Sequence, residues 1–158
     1  MLEFTDEQFK DVKTKGEAFY KSIGEIYCPY FKEKISFEAQ GLEHLKFKRR
    51  GKSRSEKDQY MRLKLIHLAP EILKMSHTVQ GIFDTKKFEH IKTNNRWEYV
   101  QKEVSYFEFI AVIKRNRCKV VVKKVGQGKM FFWSIIPFWG MNKETMIRVL
   151  YEGEPEED

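Results

Sequence analysis

The stretch from residue 103 to residue 137, EVSYFEFIAVIKRNRCKVVVKKVGQGKMFFWSIIP, admits few folds. Residues 106–114, 118–125 and 129–136 are three runs of aromatic and β-branched side chains, which suit a pleated, half-buried surface. Between them stand Arg115-Asn116-Arg117 and Gly126-Gln127-Gly128, both turn sequences, the second able to adopt positive φ. Pro137 ends the third run, because proline cannot donate to a ladder. Connections this short join neighbours antiparallel, so the segment predicts a three-stranded meander as the spine of the fold.

The rest of the chain surrounds that spine with helices. Residues 5–26 carry Phe9, Val12, Gly16, Phe19, Tyr20 and Ile23 at helical spacing, and Thr5 with Gln8 resembles a capping box. Tyr27-Cys28-Pro29-Tyr30 ends this helix, since proline restricts the residue before it. Residues 34–38 read as a short strand. In the following GLEHLKFKRRGKSRSEK, His44, Lys46 and Lys48 alternate with Leu45 and Phe47. If the piece is extended, the imidazole and both ammonium groups share a face; if it is helical, that face breaks up. Arg49 to Arg54, with Gly51 and two serines, reads as a flexible cationic loop. Ser53 or Ser55 caps a helix to about His67 that exposes Lys57, Arg62 and Lys64, and Pro70 starts a further short helix. Residues 78–83 read as a strand, and Asn94-Asn95 as a turn. The polar stretch 84–102 otherwise gives little periodicity. The order predicts an α+β fold: a twisted antiparallel sheet with N-terminal and intervening helices on one face. Residues 1–33 read as a helical extension, 34–150 as the main domain, and 151–158 as an acidic, disordered tail.

Charge is uneven. Residues 41–57 hold seven basic and two acidic side chains, and 114–129 hold seven basic and none acidic, while 149–158 hold five acidic and none basic. Clustered basicity of this kind favours nucleic acid or another anionic surface. The opposite charges suggest the hypothesis that the tail docks on the basic sheet and screens it. Cys28 and Cys118 lack ligand spacing and read as idle thiols of a reducing compartment. No apolar run approaches the ~20 residues that span a bilayer, so the chain reads as cytoplasmic, with no membrane partner.

The sequence carries no phosphate loop, HExxH, GxSxG or zinc spacing, and aspartate is scarce outside the helices and tail. That inventory predicts no metal and no cofactor. RNA cleavage by its own 2′-hydroxyl fits it: a base takes the 2′ proton, the oxygen attacks phosphorus, and cations stabilise the phosphorane. His44 is the candidate base or acid. Lys46, Lys48 and Arg62 are candidate phosphate binders, with a lysine available as acid, and Ser134 can hydrogen-bond a phosphate oxygen or the 2′-hydroxyl. Arg49, Arg50, Lys52, Arg54, Arg115, Arg117 and Lys123 complete the candidate RNA-binding set. Phe131, Phe132, Trp133 and Trp139 can stack on bases, although alternating strand positions must also fill a core.

The strand, the GLEHLKFK segment, the helix with Leu68-Ala69-Pro70-Glu71-Ile72-Leu73, and the meander closing on FFWSIIP stand in an order that resembles the phage-associated branch of the barnase–EndoU–colicin–RelE nuclease superfamily. The likeness covers residues 34–137. It implies a metal-independent endoribonuclease with its site on the open face of the sheet. The family's histidine after the first strand and its hydroxyl on the last strand fall on His44 and Ser134, and its basic residue on Arg62 or Arg115. A toxin or phage-conflict effector of this kind implies RNA, free or on the ribosome, and an antitoxin or immunity protein as partners. The rival reading is an RNA- or ribosome-binding module without chemistry.

Overall fold

The computed structural model describes residues 3–138 and 154–158. Its first helix, α1 (Asp6–Ile23), opens on the capping box: the Thr5 hydroxyl accepts from the Gln8 amide at 3.1 Å, and the Gln8 carboxamide accepts from the Thr5 amide at 2.9 Å. The helix stops short of residue 26. Gly24, at φ 67°, turns the chain into a strand, β1 (Glu25–Cys28), with alternate residues buried. It pairs antiparallel with β2 (Glu33–Ser36).

Next come α2 (Ala39–Lys46), a small hairpin of β3 (Phe47–Arg49) and β4 (Lys52–Ser53), then α3 (Glu56–Leu65) and α4 (Leu68–Met75). The segment around His44 is therefore helical, and the one-faced alternation of His44, Lys46 and Lys48 does not form. Ser55 caps α3 by accepting from the Asp58 amide. Arg62, read from the sequence as exposed on this helix, is buried. Its guanidinium is matched by the Asp58 carboxylate one turn earlier, so it enters the interior paired.

The meander is β6 (Arg96–Ile113), β7 (Asn116–Val125) and β8 (Met130–Pro137), preceded by β5 (Gly81–Thr93). The sheet order is β1-β2-β8-β7-β6-β5, antiparallel throughout except where β2 meets β8 at Ser36 and Phe131. The class is α+β. The β5–β6 turn is Asn94-Asn95 (φ 49° and 64°), and the β6–β7 turn is Lys114-Arg115 (φ 49° and 64°), one residue ahead of the sequence reading. Two left-handed residues in a row make the tight turn whose twist matches the flanking strands.

The four helices of the described residues pack on one face of the sheet. Tyr20, Leu42, Leu45, Leu63, Ile66, Leu68, Ile72 and Leu73 meet Phe109, Val120, Val122, Phe132 and Ile35 in a single core. Each such side chain contributes roughly 1.5–3 kcal/mol on leaving water. Helix α1 belongs to this core: a Cβ on Gly16 would come within 2.8 Å of the Leu63 carbonyl, so glycine sets how closely α1 approaches α3. Cys28 and Cys118 are buried and unbridged. A smaller cluster, Val104, Tyr106, Val121, Phe131, Trp133 and Ile136, lies on the opposite face.

The sheet departs from regularity in two places. In the β7–β8 ladder, Val121 pairs with Ser134 but Val122 pairs with Phe132, which leaves Trp133 as an extra residue. This bulge re-aims the strand, so that Trp133 and Ser134 both leave the helix-covered core. The second is the β5–β6 hairpin. Strand β7 covers β6 only from Val104 to Ile113, while β5 and β6 stay paired to Thr93 and Arg96, so the hairpin projects beyond the sheet as a two-stranded ribbon. Phe88, Trp97 and Tyr99 are exposed on it. Among the described residues, no helix is long and apolar enough to cross a membrane. Trp139 and the 150/151 boundary lie outside the described residues. Residues 154–158, expected to be disordered, form a turn that rests on the protein.

Candidate nucleic-acid site

Helix α3 begins the site. Asp58 and Arg62 sit one turn apart on its inner face, and Arg62 Nε donates to Asp58 Oδ1 at 2.6 Å. Arg54, just ahead of the helix, approaches the other oxygen of the same carboxylate through Nη1 at 3.4 Å. One aspartate thus aligns two guanidinium groups, both on buried residues. Arg54, expected in a flexible loop, is instead fixed from both sides. Its Nε donates to the His44 carbonyl at 2.8 Å, and its own amide donates to the Lys46 carbonyl at 2.8 Å.

Helix α2 supplies His44, three residues after Gly41. A Cβ at Gly41 would stand 2.6 Å from the Phe132 carbonyl, so only glycine lets α2 lie this close to β8. The approach places the His44 ring on Trp133, with centroids 4.1 Å apart and planes 20° from parallel. Arg54 Nη2 lies 3.0 Å from His44 Nε2. A guanidinium has no lone pair to offer, so Nε2 is the acceptor and the proton of the neutral ring lies on Nδ1. Burial, then the charges of Arg54, Arg62 and Lys123, push the His44 pKa down to about 2; hydrogen bonding to the Asp158 backbone opposes them. At neutral pH the imidazole is therefore uncharged. Burial and neighbouring Arg62 also lower Arg54, to about 10, against the pull of Asp58, which leaves it cationic.

Strand β8 closes the site. Its bulge presents the Ser134 hydroxyl to Arg62 Nη1 at 2.6 Å. Lys123, across the ladder on β7, holds its ammonium 4.1 Å from the centre of the Trp133 ring. His44, Arg54, Arg62, Lys123 and Ser134, widely separated in the sequence, thus converge.

At their meeting point lies the turn 154–158. The Asp158 main-chain oxygen accepts from Arg54 Nη2 at 3.0 Å, from the Ser134 hydroxyl at 3.0 Å, and from Arg62 Nη1. The Glu157 carbonyl accepts from Arg54 at 2.8 Å, and the Pro155 carbonyl from Trp133 Nε1 at 3.1 Å. Carboxylates follow the same logic: Glu156 reaches Lys123 at 3.1 Å and Lys87 at 3.6 Å, and Glu157 reaches Arg49 at 3.5 Å. Two buried guanidiniums served by one aspartate demand further acceptors, and the turn provides them.

A cavity of about 710 Å³ opens beside this cluster, walled by His44, Trp133 and Phe47 and rimmed by Lys48, Arg49 and Arg50. The remaining candidates lie elsewhere. Lys46 points to Glu17 on α1 at 3.1 Å, away from His44. Lys52 is exposed on β4. Arg115 and Arg117 lie at the β6–β7 turn, the far end of β7 from Lys123, where Arg117 covers the ring of Phe138 at 5.0 Å. Sequence reasoning missed Asp58. The four-residue spacing of Arg54, Asp58 and Arg62 was the available signal, because it stacks opposite charges along one helical face. Compared with family models, curated proteins and solved structures, the chain finds no match.

Proposed function

We propose that the chain is a metal-independent endoribonuclease that cleaves RNA by attack of the 2′-hydroxyl on the adjacent phosphorus. One observation carries the reading: Arg54, Arg62 and Ser134 aim three hydrogen-bond donors at one oxygen, that of Asp158, beside an uncharged imidazole. A phosphate oxygen in that position meets two guanidinium groups and a hydroxyl, donors that strengthen as charge builds on the phosphorane. His44 Nε2 accepts from Arg54 while the site is free of RNA, and takes the 2′ proton once Arg54 Nη2 has turned from the ring to the phosphate. Asp58 is a positioning residue that holds both arginines. Lys48, Arg49 and Arg50 rim the cavity and engage the flanking strand. The resemblance to barnase–EndoU–colicin–RelE nucleases supports the same assignment of His44, Arg62 and Ser134. With it come a cytoplasmic RNA target, free or ribosomal, and an antitoxin or immunity partner.

A second reading, an RNA- or ribosome-binding module, draws on the low basicity of His44: an imidazole with a pKa near 2 is a weak proton acceptor. The test is to incubate the protein with total RNA and ribosomes in EDTA, beside His44→Ala and Ser134→Ala. Cleavage that leaves 2′,3′-cyclic phosphate ends and disappears in both variants is the expected result. Intact RNA with salt-sensitive binding retained in His44→Ala would establish the binding module and sink the nuclease.

A further inference from the structure

Residues 154–158 do more than lie across the site. The amides of Glu157 and Asp158 both donate to the Glu154 carbonyl, at 3.0 and 2.8 Å, and this single turn fans its acceptors toward separate cations. Asp158 delivers an oxygen to Arg54, Arg62 and Ser134, Glu156 a carboxylate to Lys123 and Lys87, and Glu157 a carboxylate to Arg49. Asp158 is 2% exposed and Pro155 is buried, so the turn is seated rather than merely attracted. Its main-chain and carboxylate oxygens resemble those of a phosphodiester strand in that they accept and never donate.

We propose that residues 154–158 are a built-in competitor for RNA, occupying three phosphate subsites: a central one at Arg54, Arg62 and Ser134, and flanking ones at Lys123 with Lys87 and at Arg49. The inference rests on RNA being the ligand of the site and not on cleavage. While the turn is seated, His44 is covered and the central subsite is filled. RNA gains the site only in the fraction of molecules whose turn has left, and its apparent affinity falls by that fraction. Because the competitor is tethered, it acts at a high effective concentration and is hard to displace by a free peptide.

The test measures binding of a fluorescein-labelled 2′-O-methyl oligoribonucleotide, which cannot be cut, by fluorescence anisotropy at fixed salt. The full chain is compared with Glu156→Gln/Glu157→Gln/Asp158→Asn and with a control of equal charge change, Glu7→Gln/Glu25→Gln/Glu33→Gln, on three exposed carboxylates. The tail variant is expected to bind about tenfold tighter or more. A synthetic peptide of residues 152–158 should weaken the tail variant again and leave the parent unaffected. Glu157→Lys alone, on a partly buried side chain at the edge of the turn, should give a smaller gain, and it keeps the test informative if the triple variant does not fold. Equal gains in tail and control variants, or no gain in either tail variant, would overturn the proposal. Parent and tail variant cutting natural RNA equally would sink the competitor and leave the nuclease standing. Tighter binding with no cleavage would do the reverse.

Discussion

Arg62 and Arg50 are the same side chain in two settings. Arg62 is 1% exposed, gripped by Asp58 and aimed at Ser134, whereas Arg50 stands exposed at the hairpin tip between β3 and β4. In the sequence both count equally toward basicity. In the folded chain one has lost its hydration and must be answered by protein acceptors, and the other keeps its water. Under the proposed reading the contrast separates an anion cradle, whose two guanidiniums Asp58 aligns, from a rim that contributes long-range attraction.

Removing the buried cation should produce the largest effect. Arg62→Met leaves Asp58 without its closest partner and is expected to cost about 3–5 kcal/mol in urea unfolding, the range for breaking a buried pair. Arg50→Ala should stay within about 0.5 kcal/mol in the same assay. A comparable loss in the two would erase the distinction between cradle and rim.

Gly41→Ala attacks the cradle without touching a charge. The added methyl meets the Phe132 carbonyl and forces α2 away from β8, at about 1–3 kcal/mol. Loss of the His44–Trp133 stack should accompany it, read from the near-ultraviolet dichroism of tryptophan. An unchanged spectrum would mean that glycine does not set the approach.

His44 gives the comparison a pH dependence. Its folded pKa is depressed, so between its unfolded value near 6.5 and its folded value of about 2 the unfolded chain binds a proton that the folded chain refuses. Stability conferred by the neutral ring is therefore complete above about pH 6.5 and falls as pH drops through this window. Thermal unfolding midpoints measured from pH 7 down to about pH 5, above most carboxylate titrations, should decline less for His44→Gln than for the parent. Parallel curves would show that the ring is not held neutral. The smallest effect belongs to the rim: under the proposed reading, Arg49→Ala or Arg50→Ala should lower the salt slope of RNA binding by about one unit each while leaving stability intact.

Legibility in the sequence divides along the same line. The meander, the capping box of α1 and the N-cap of α3 could be read because each depends on neighbours in the chain. Strand β1 was missed because four residues after a glycine carry too little periodicity to outweigh the preceding helix. The β5–β6 ribbon resisted assignment because much of it projects beyond the sheet and has no core to impose an alternating pattern on its side chains. His44, Arg62 and Ser134 were singled out, but the burial of Arg54 and Arg62 was not. Burial is decided by Asp58 one turn away and by Ser134 some seventy residues later. Lys46 drew attention through its position beside His44, yet on a helix two residues of separation means opposite sides.

The extra residue at Trp133 has a consequence for alignment. Up to Phe132 the parity of residue number tells which way a β8 side chain points, and from Ser134 onward the rule is reversed. A related chain with an unbulged strand would be one residue shorter here, and a gapless match would set its core residues against Ser134 and call the site lost. Placed at Trp133, a single gap restores the phase of the strand on both sides.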